Sequence, residues 1–567
     1  MQQEQNLTGY PSIDKPWLKY YSDEAINATL PNCSMYEYVY ECNKNHFDDI
    51  ALIYFNKSIT YRTMFNKIDT LAQGFTDLGI TDKDTVTLLV LSQPETVYIV
   101  YALNKIGANI NFVNVLSSES EMKEEILNNN SKYIVTLNLF TKKLKSLFND
   151  ERVNYIIEFS LADSLNNFYK YIINKKINVE CFDNRKIIKL QNVYSKHIST
   201  DTLLSRNSYV ITHTGGTTGI PKGVLISNNA INGITVEYKY SLKYKRQEKY
   251  MDLIVPFVIY GWCVNIHMPL CLGLKTILIP TADLEKITKQ IYKYKPNHIV
   301  SIPSYWQPVL NSKKKDFSFI ITAGAGGDGM NIDLEKQLNQ FLVNHKSKAA
   351  FLNGYGMSEL CSTICTCQYD AVKSGSVGIP LSHNTVSAFD IDTGEELTYG
   401  QKGEICVKSP YAMVKYVNDK KETENITMNY KGEIWIKTGD LGHIDSDGFV
   451  FLDGRIKRII LTYLDNLGHK VFPSQVENVI GKVDFVQSVC VVPKKHKERK
   501  IVPVAYITLT DDSFSSEKAK DILFDYCKKH ISEYAQPYEF IIKKELPLTS
   551  VGKIDFKKLE IEANKGL

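Results

Sequence analysis

From Thr85 onward the chain alternates between short apolar runs and longer helical patterns, and this alternation restricts the fold more than any other feature. Thr85-Val-Thr-Leu-Leu-Val-Leu91 reads as a strand, Glu95 to Ile106 as an amphipathic helix, and Ala108-Asn-Ile-Asn-Phe-Val113 as a second strand. Glu119–Asn128 then reads as helix and Lys132-Tyr-Ile-Val-Thr136 as strand. Strands joined by helical crossovers run parallel and need cover on both faces, so the pattern predicts an α/β architecture with mostly parallel sheets. Earlier in the chain, Ser58-Ile-Thr-Tyr61 reads as a short strand, and Thr60 is placed to cap a helix reaching about Leu78. At 567 residues the chain is too long for one core and divides into several subdomains.

One loop stands out within this frame. Thr212-His-Thr-Gly-Gly-Thr-Thr-Gly-Ile-Pro-Lys-Gly-Val224 packs four glycines, four threonines, a proline and a lysine into thirteen positions between two extended segments. Glycines let backbone N–H groups converge on an anion, and threonine hydroxyls and a lysine add donors and charge. A nucleotide polyphosphate is the natural guest. The Walker pattern is absent, because Pro221 precedes the lysine and a strand rather than a helix follows.

Composition excludes other classes. A net charge of +4 is too weak for a nucleic-acid or membrane-surface protein. Eleven scattered cysteines lack paired metal spacing, and Cys361, Cys365 and Cys367 read as buried structural thiols, which fits a cytoplasmic protein. The amino terminus carries no signal pattern. Leu253 to Leu274 has no charged residue but contains Pro256, Gly261, Pro269 and Gly273, so it reads as a buried strand and helix, not a membrane span.

Thr214-Gly-Gly-Thr-Thr-Gly-Ile-Pro-Lys-Gly223 resembles the phosphate-loop signature of the adenylate-forming superfamily, with Gly215 where Ser is usual. The resemblance implies an α/β fold: a large multi-subdomain N-terminal domain, residues 1–454, and a small mobile α+β C-terminal domain, residues 455–567. It places Thr214, Gly215, Gly216, Thr217, Thr218, Gly219 and Lys222 around ATP, Thr218 having a catalytic part. Ser318–Ala323 reads as a strand leading into Gly324-Ala-Gly-Gly-Asp-Gly-Met330, similar to the family's adenine-binding segment, so Gly326, Gly327 and Asp328 join the nucleotide set. In Asn353-Gly-Tyr-Gly-Met-Ser-Glu359 the resemblance assigns Tyr355, with Gly356, to the adenine, Ser358 to phosphate and Glu359 to Mg2+. One carboxylate suffices for a Mg2+ that takes further oxygen from phosphates and water. Asp440, read as following a strand and a glycine, can accept both ribose hydroxyls, and Arg455 matches a ribose-contacting arginine.

The resemblance also makes Lys457 the interdomain hinge, with Arg458 where an acidic residue is usual. The loop Ile460 to Gly468 is longer than in typical members and precedes Gly468 and His469, expected to line the thiol-acceptor channel. Lys494–Lys500 reads as a solvated loop between two strands. Near the carboxyl end, Leu546-Pro-Leu-Thr-Ser-Val-Gly-Lys-Ile-Asp555 matches the segment bearing the family's catalytic lysine, here Lys553.

The expected acyl pocket draws on Tyr260, Gly261, Trp262, Ser304, Thr322 and Gly354. Asp252-Leu-Ile-Val-Pro256 reads as a strand, and Val258 stands where acyl-CoA synthetases usually carry His. No carboxylate lies between Asp252 and Asp283 to pair with an amino acid's ammonium, so an apolar, fatty or aryl acid is the expected substrate. The expected activity is two-step: ATP and the acid give acyl-AMP and pyrophosphate, and a thiol then takes the acyl group. CoA is the expected acceptor, with the phosphopantetheine of an acyl or peptidyl carrier protein as the alternative. A nucleotide-binding regulator without turnover is the competing class.

Overall fold

The computed structural model describes residues 7–176, 179–197, 208–214, 221–280, 283–330, 332–464, 467–510, 515–549 and 553–565. Two compact units emerge: one comprises Lys15–Thr385 and Val407–Ile436, the other Met1–Asp14, Val386–Cys406 and Lys437–Leu567.

The larger unit is built on two sheets. An eight-stranded sheet has a parallel centre, with Thr85–Leu89 between Asn109–Phe112 and Tyr133–Leu137, and Tyr209–Thr214 beside Asn109–Phe112. Lys222–Ser227 returns antiparallel to Tyr209–Thr214, so the Gly/Thr loop joins two adjacent antiparallel strands of an otherwise parallel sheet. Lys415–Tyr416 closes that edge, pairing antiparallel with Lys222–Ser227. In the nine-stranded sheet, Lys275–Leu278, Lys249–Asp252, His298–Ser301, Thr322–Ala325 and Phe351–Tyr355 run parallel.

One large apolar core takes side chains from both sheets and from the helices Pro94–Lys105 and Asn228–Ser241. A second core covers the other face of the nine-stranded sheet, where Met251, Ile277, Ile299 and Ala323 meet Trp306 and Leu338. Helix starts follow capping chemistry: Thr60 Oγ1 accepts from Thr63 N–H at 3.3 Å ahead of helix Tyr61–Asp77, and Ser34 forms a reciprocal capping box with Glu37.

In the other unit, the antiparallel pair Val486–His496 and Lys500–Leu509, with Glu539–Ile542 parallel to the second strand, packs against helices Pro473–Ile480, Ser516–His530 and Phe556–Ala563. Ser12 and Asp14 tie the amino-terminal segment to this unit through Glu396 at 2.8 Å and Tyr399 at 2.9 Å.

Several local expectations need correction. The helix Pro94–Lys105 is buried on nearly every side, not amphipathic, because it lies inside the large core. Strand Lys249–Asp252 ends where a strand was expected to begin; Pro256, which has no N–H to give a ladder, falls in the buried loop that follows. The strand expected at Ser318–Ala323 is Thr322–Ala325, in register with His298–Ser301 after a turn from Phe317 to Ile320. Ile460 to Gly468 is no loop: Ile460–Leu464 and Leu467–Val471 form an antiparallel pair. Lys494, Lys495 and His496 continue a strand, because Lys494 pairs with Glu539 at 2.6 Å across the sheet and Lys495 N–H donates to Asn564 at 2.9 Å.

Candidate active site

The phosphate end is assembled by strand pairing. Thr214 and Lys222 face each other in register at the mouth of the loop; Gly215, Gly216, Thr217, Thr218 and Gly219 lie outside the described residues. The Lys222 ammonium pairs with Glu422 and sits 5.2 Å from the centre of the Tyr416 ring. The Tyr416 hydroxyl donates to Glu359 Oε1 at 2.6 Å, and Met413 N–H donates to the Glu359 carbonyl at 2.8 Å. Tyr416 therefore links the loop lysine to the carboxylate expected to hold Mg2+. Burial, and then the charge of Glu359, keep its phenol neutral by raising its pKa.

Sequence reading missed Tyr416 and Glu422. Glu422 is 200 residues from Lys222 and is reached only through the antiparallel pairing of Lys415–Tyr416 with Lys222–Ser227. No local pattern marks either residue.

Glu359 follows directly from the nucleotide segment. Tyr355 ends strand Phe351–Tyr355 and is largely buried, and Ser358 opens the short turn Ser358–Leu360. Gly356 cannot be another residue in this backbone: a Cβ there would lie 1.4 Å from the Ser362 carbonyl oxygen. On the neighbouring strand, Gly326 sits at the carboxyl end of Thr322–Ala325, where open parallel sheets bind ligands. A Cβ on Gly326 would come within 3.1 Å of the Gly354 carbonyl and 3.7 Å of the Tyr260 hydroxyl, so Gly326, Gly354 and Tyr260 meet at one place. Gly327 takes the left-handed φ of 81° that glycine allows, and Asp328 is exposed beside it.

The other expected acyl-pocket residues divide. Gly261 begins the wide helical turn Gly261–His267, and Ser304 lies in helix Pro303–Leu310. Trp262 is buried in the large core, its ring 5.5 Å from Tyr101 and 6.0 Å from Phe112, with Nε1 donating to Met35 Sδ at 3.3 Å. Thr322 is buried, with Oγ1 engaged by His298 Nδ1 at 3.0 Å and the Tyr369 hydroxyl at 2.6 Å.

The second unit holds the remaining candidates. Asp440 lies inside strand Glu433–Ile444, not after it, and pairs in register with Arg455. Arg455 Nε meets Asp440 Oδ1 at 2.9 Å and Nη1 donates to the Thr438 carbonyl at 3.0 Å. The two expected ribose contacts are thus one preformed pair. Lys457 sits in the short turn Ile456–Arg458. Arg458 pairs with Glu477, donates to the Val491 carbonyl at 3.1 Å and lies 5.1 Å over the Phe556 ring. Gly468 lies in strand Leu467–Val471, and the His469 ring stacks on Tyr534 at 4.6 Å. Lys553 is exposed, its N–H donating to Thr549 Oγ1 at 3.2 Å and its carbonyl accepting from Thr549 N–H at 2.6 Å.

A Gly/Thr loop at the edge of a mostly parallel sheet, a lysine and a carboxylate meeting at one tyrosine, and a second α/β unit bearing Lys553 fit the class of adenylate-forming enzymes. Comparison with known proteins gives the family. The AMP-binding enzyme profile matches residues 39–417, and the AMP-binding enzyme C-terminal domain profile matches residues 475–553. The chain belongs to the AMP-binding enzymes, the adenylate-forming superfamily. It is 25% identical to a long-chain-fatty-acid–CoA ligase of Bacillus subtilis, over 96% of this chain and 97% of that one. It is 26% identical to 4-coumarate:CoA ligase 1 of Petunia hybrida, over 88% of each. Its fold matches an anthranilate CoA ligase in complex with anthranoyl-AMP (TM-score 0.78, 19% identity, 94% of this chain and 98% of the other). It also matches a benzoate CoA ligase from Burkholderia xenovorans (TM-score 0.78, 16% identity, 93% and 99%). Among the described residues no helix is long and apolar enough to cross a membrane.

Proposed function

We propose that this chain is an AMP-forming acid–thiol ligase that converts a carboxylic acid to acyl-AMP and then to a thioester, with CoA as the thiol. The convergence of Lys222 and Glu359 on Tyr416, at the mouth of the Gly/Thr loop, carries this reading. In the first step a carboxylate oxygen attacks the α-phosphorus of ATP and the bond to pyrophosphate breaks. In the second, the thiol sulfur attacks the acyl carbon and AMP leaves.

Such displacement depends mainly on positioning and charge neutralisation. Lys222 exchanges Glu422 for the polyphosphate when nucleotide arrives. Tyr355 stacks on the adenine, and the Asp440–Arg455 pair receives the ribose. Lys553 contacts the incoming carboxylate and the α-phosphate, where charge develops. Residues 455–567 form the mobile domain, and rotation about Lys457 withdraws Lys553 so that the thiol can enter past Gly468 and His469.

Glu359 suits a divalent metal by its donor chemistry. It is a single buried carboxylate with one oxygen already oriented by Tyr416, which matches a Mg2+ that draws other ligands from phosphate and water. Bound there, Mg2+ supplies charge neutralisation to the polyphosphate. The free thiols, Cys365 and Cys406 among them, accord with a cytoplasmic location.

Exchange of labelled pyrophosphate into ATP tests the reading. The expected result is exchange that requires a carboxylic acid and needs no thiol. Exchange independent of any acid, or none across fatty and aryl acids, would overturn it.

A further inference from the structure

The sheet face that carries Thr322, one of the expected acyl-pocket residues, holds more hydrogen-bonding capacity than its neighbours use. Register across four neighbouring strands sets Thr276, Tyr250, His298 and Thr322 side by side on one face of the nine-stranded sheet. Part of this row is internally satisfied. His298 Nδ1 meets Thr322 Oγ1 at 3.0 Å and its Nε2 meets Glu248 at 2.9 Å; the Tyr369 hydroxyl meets Thr322 Oγ1 and donates to the Ile321 carbonyl at 2.9 Å.

The rest is not satisfied. Tyr250 is fully buried, and the Tyr244 ring packs edge-on against His298 at 4.8 Å. Both bury a hydroxyl that has no hydrogen-bond partner among the described residues. Tyr260 connects them to the glycine turn: its hydroxyl donates to the Ser301 carbonyl at 3.2 Å, and Gly326 N–H donates to the same oxygen at 2.9 Å.

Burial disfavours charge on the groups of this region. Burial raises the pKa of the Tyr244, Tyr250 and Tyr260 phenols well above the ordinary value, so all three stay neutral. Asp252, on the same strand face as Tyr250, is completely buried; burial raises its pKa well above the usual carboxylate range. The Glu248 carboxyl is engaged by His298 Nε2 at 2.9 Å. A guest here is neutral at its far end. It is also short, because Trp262, on the segment that follows Tyr260, is locked between Tyr101 and Phe112 in the closed core.

We infer that this region takes the distal end of a compact aryl acid whose neutral ring substituent, a hydroxyl or carbonyl, is hydrogen-bonded by Tyr244 and Tyr250. The inference rests on the acid activation proposed above and narrows its substrate. An alkyl chain would leave both hydroxyls buried and unpaired, which is costly. Sites built to hydrogen-bond a group reject analogues lacking it far more strongly than apolar pockets distinguish chain lengths.

The test measures kcat/KM in acid-dependent pyrophosphate exchange for the ortho, meta and para hydroxybenzoates, for benzoate and for hexadecanoate. The best hydroxybenzoate is expected to exceed benzoate by roughly tenfold or more, and hexadecanoate to be the poorest. Tyr250→Phe and Tyr244→Phe are each expected to shrink the hydroxybenzoate-to-benzoate ratio. Preference for benzoate or hexadecanoate, or a ratio unmoved in both variants, overturns the inference while leaving acid activation standing. Exchange with no acid at all overturns acid activation and this inference with it. If a variant does not fold, the wild-type ratio decides.

Discussion

Replacing Tyr416 by Phe removes one hydroxyl and keeps the ring, which isolates the hydrogen bond to Glu359. The bond is 2.6 Å long and its acceptor is a buried carboxylate, while the Lys222 ammonium lies over the ring face at 5.2 Å and keeps that contact in the variant. Hydrogen bonds to charged groups are worth about 1.5–3 kcal/mol, and losing one leaves the carboxylate free to reorient. If the hydroxyl orients Glu359 for the metal–nucleotide complex, kcat/KM for MgATP in pyrophosphate exchange falls by about 10- to 100-fold. The Mg2+ concentration giving half-maximal exchange rises with it. The assay is exchange across a Mg2+ titration at saturating acid, repeated on a Glu359→Gln background. There the second loss should be much smaller than in the native background, because the two residues act as one unit. Equal losses in both backgrounds, or an unmoved Mg2+ dependence, would refute the positioning role.

Other outcomes follow from the same structure. Lys553→Ala should slow adenylation by about 10²- to 10³-fold while thioester formation from supplied acyl-AMP survives, measured as two separate half-reactions; equal loss of both would contradict the division of roles. Lys457→Pro should do the reverse, sparing exchange and blocking the thioester step. Glu125 bears on pH: it is buried, its Oε2 has no partner among the described residues, and burial pushes its pKa up to about 8 from 4.5. Because the folded value is the higher one, the unfolded chain releases this proton first, and the site costs stability as pH rises from about 4.5 to 8. Glu125→Gln should therefore lose less Tm than the native chain between those limits, and parallel Tm–pH curves would rule this out.

What the sequence made legible was whatever is local. The loop Thr212–Val224, the Asn353–Glu359 segment and the helix caps at Ser34 and Thr60 depend on residues within a few positions of one another, so their chemistry is visible in the string. Pairings between distant segments were not. Lys415–Tyr416 reaches Lys222–Ser227 as an edge strand of only two residues, too short for any periodicity to announce. Glu95–Ile106 looked amphipathic because Glu95, Asn104 and Lys105 are polar. Glu95 is nonetheless buried, held by Ser164 and by Gln93 at 3.0 Å, a burial that only the two surrounding sheets explain. Lys494–Lys500 looked like a loop from its charge, and Lys497–Arg499 do form the turn, but Lys494–His496 are strand, where an outward face carries lysines well when Glu539 answers one of them. The tyrosines Tyr244 and Tyr250 gave no signal in sequence, since an unpaired hydroxyl is a property of three-dimensional surroundings alone.

Acid activation requires that the chain cleave ATP between the α- and β-phosphates to build an acyl-adenylate. Single-turnover incubation with ATP labelled at the α-phosphate, an aryl acid and no thiol decides whether it does. The expected result is enzyme-bound acyl-AMP and one equivalent of pyrophosphate, with label appearing as free AMP only after CoA is added. Labelled ADP, or AMP formed without any acid, would contradict it.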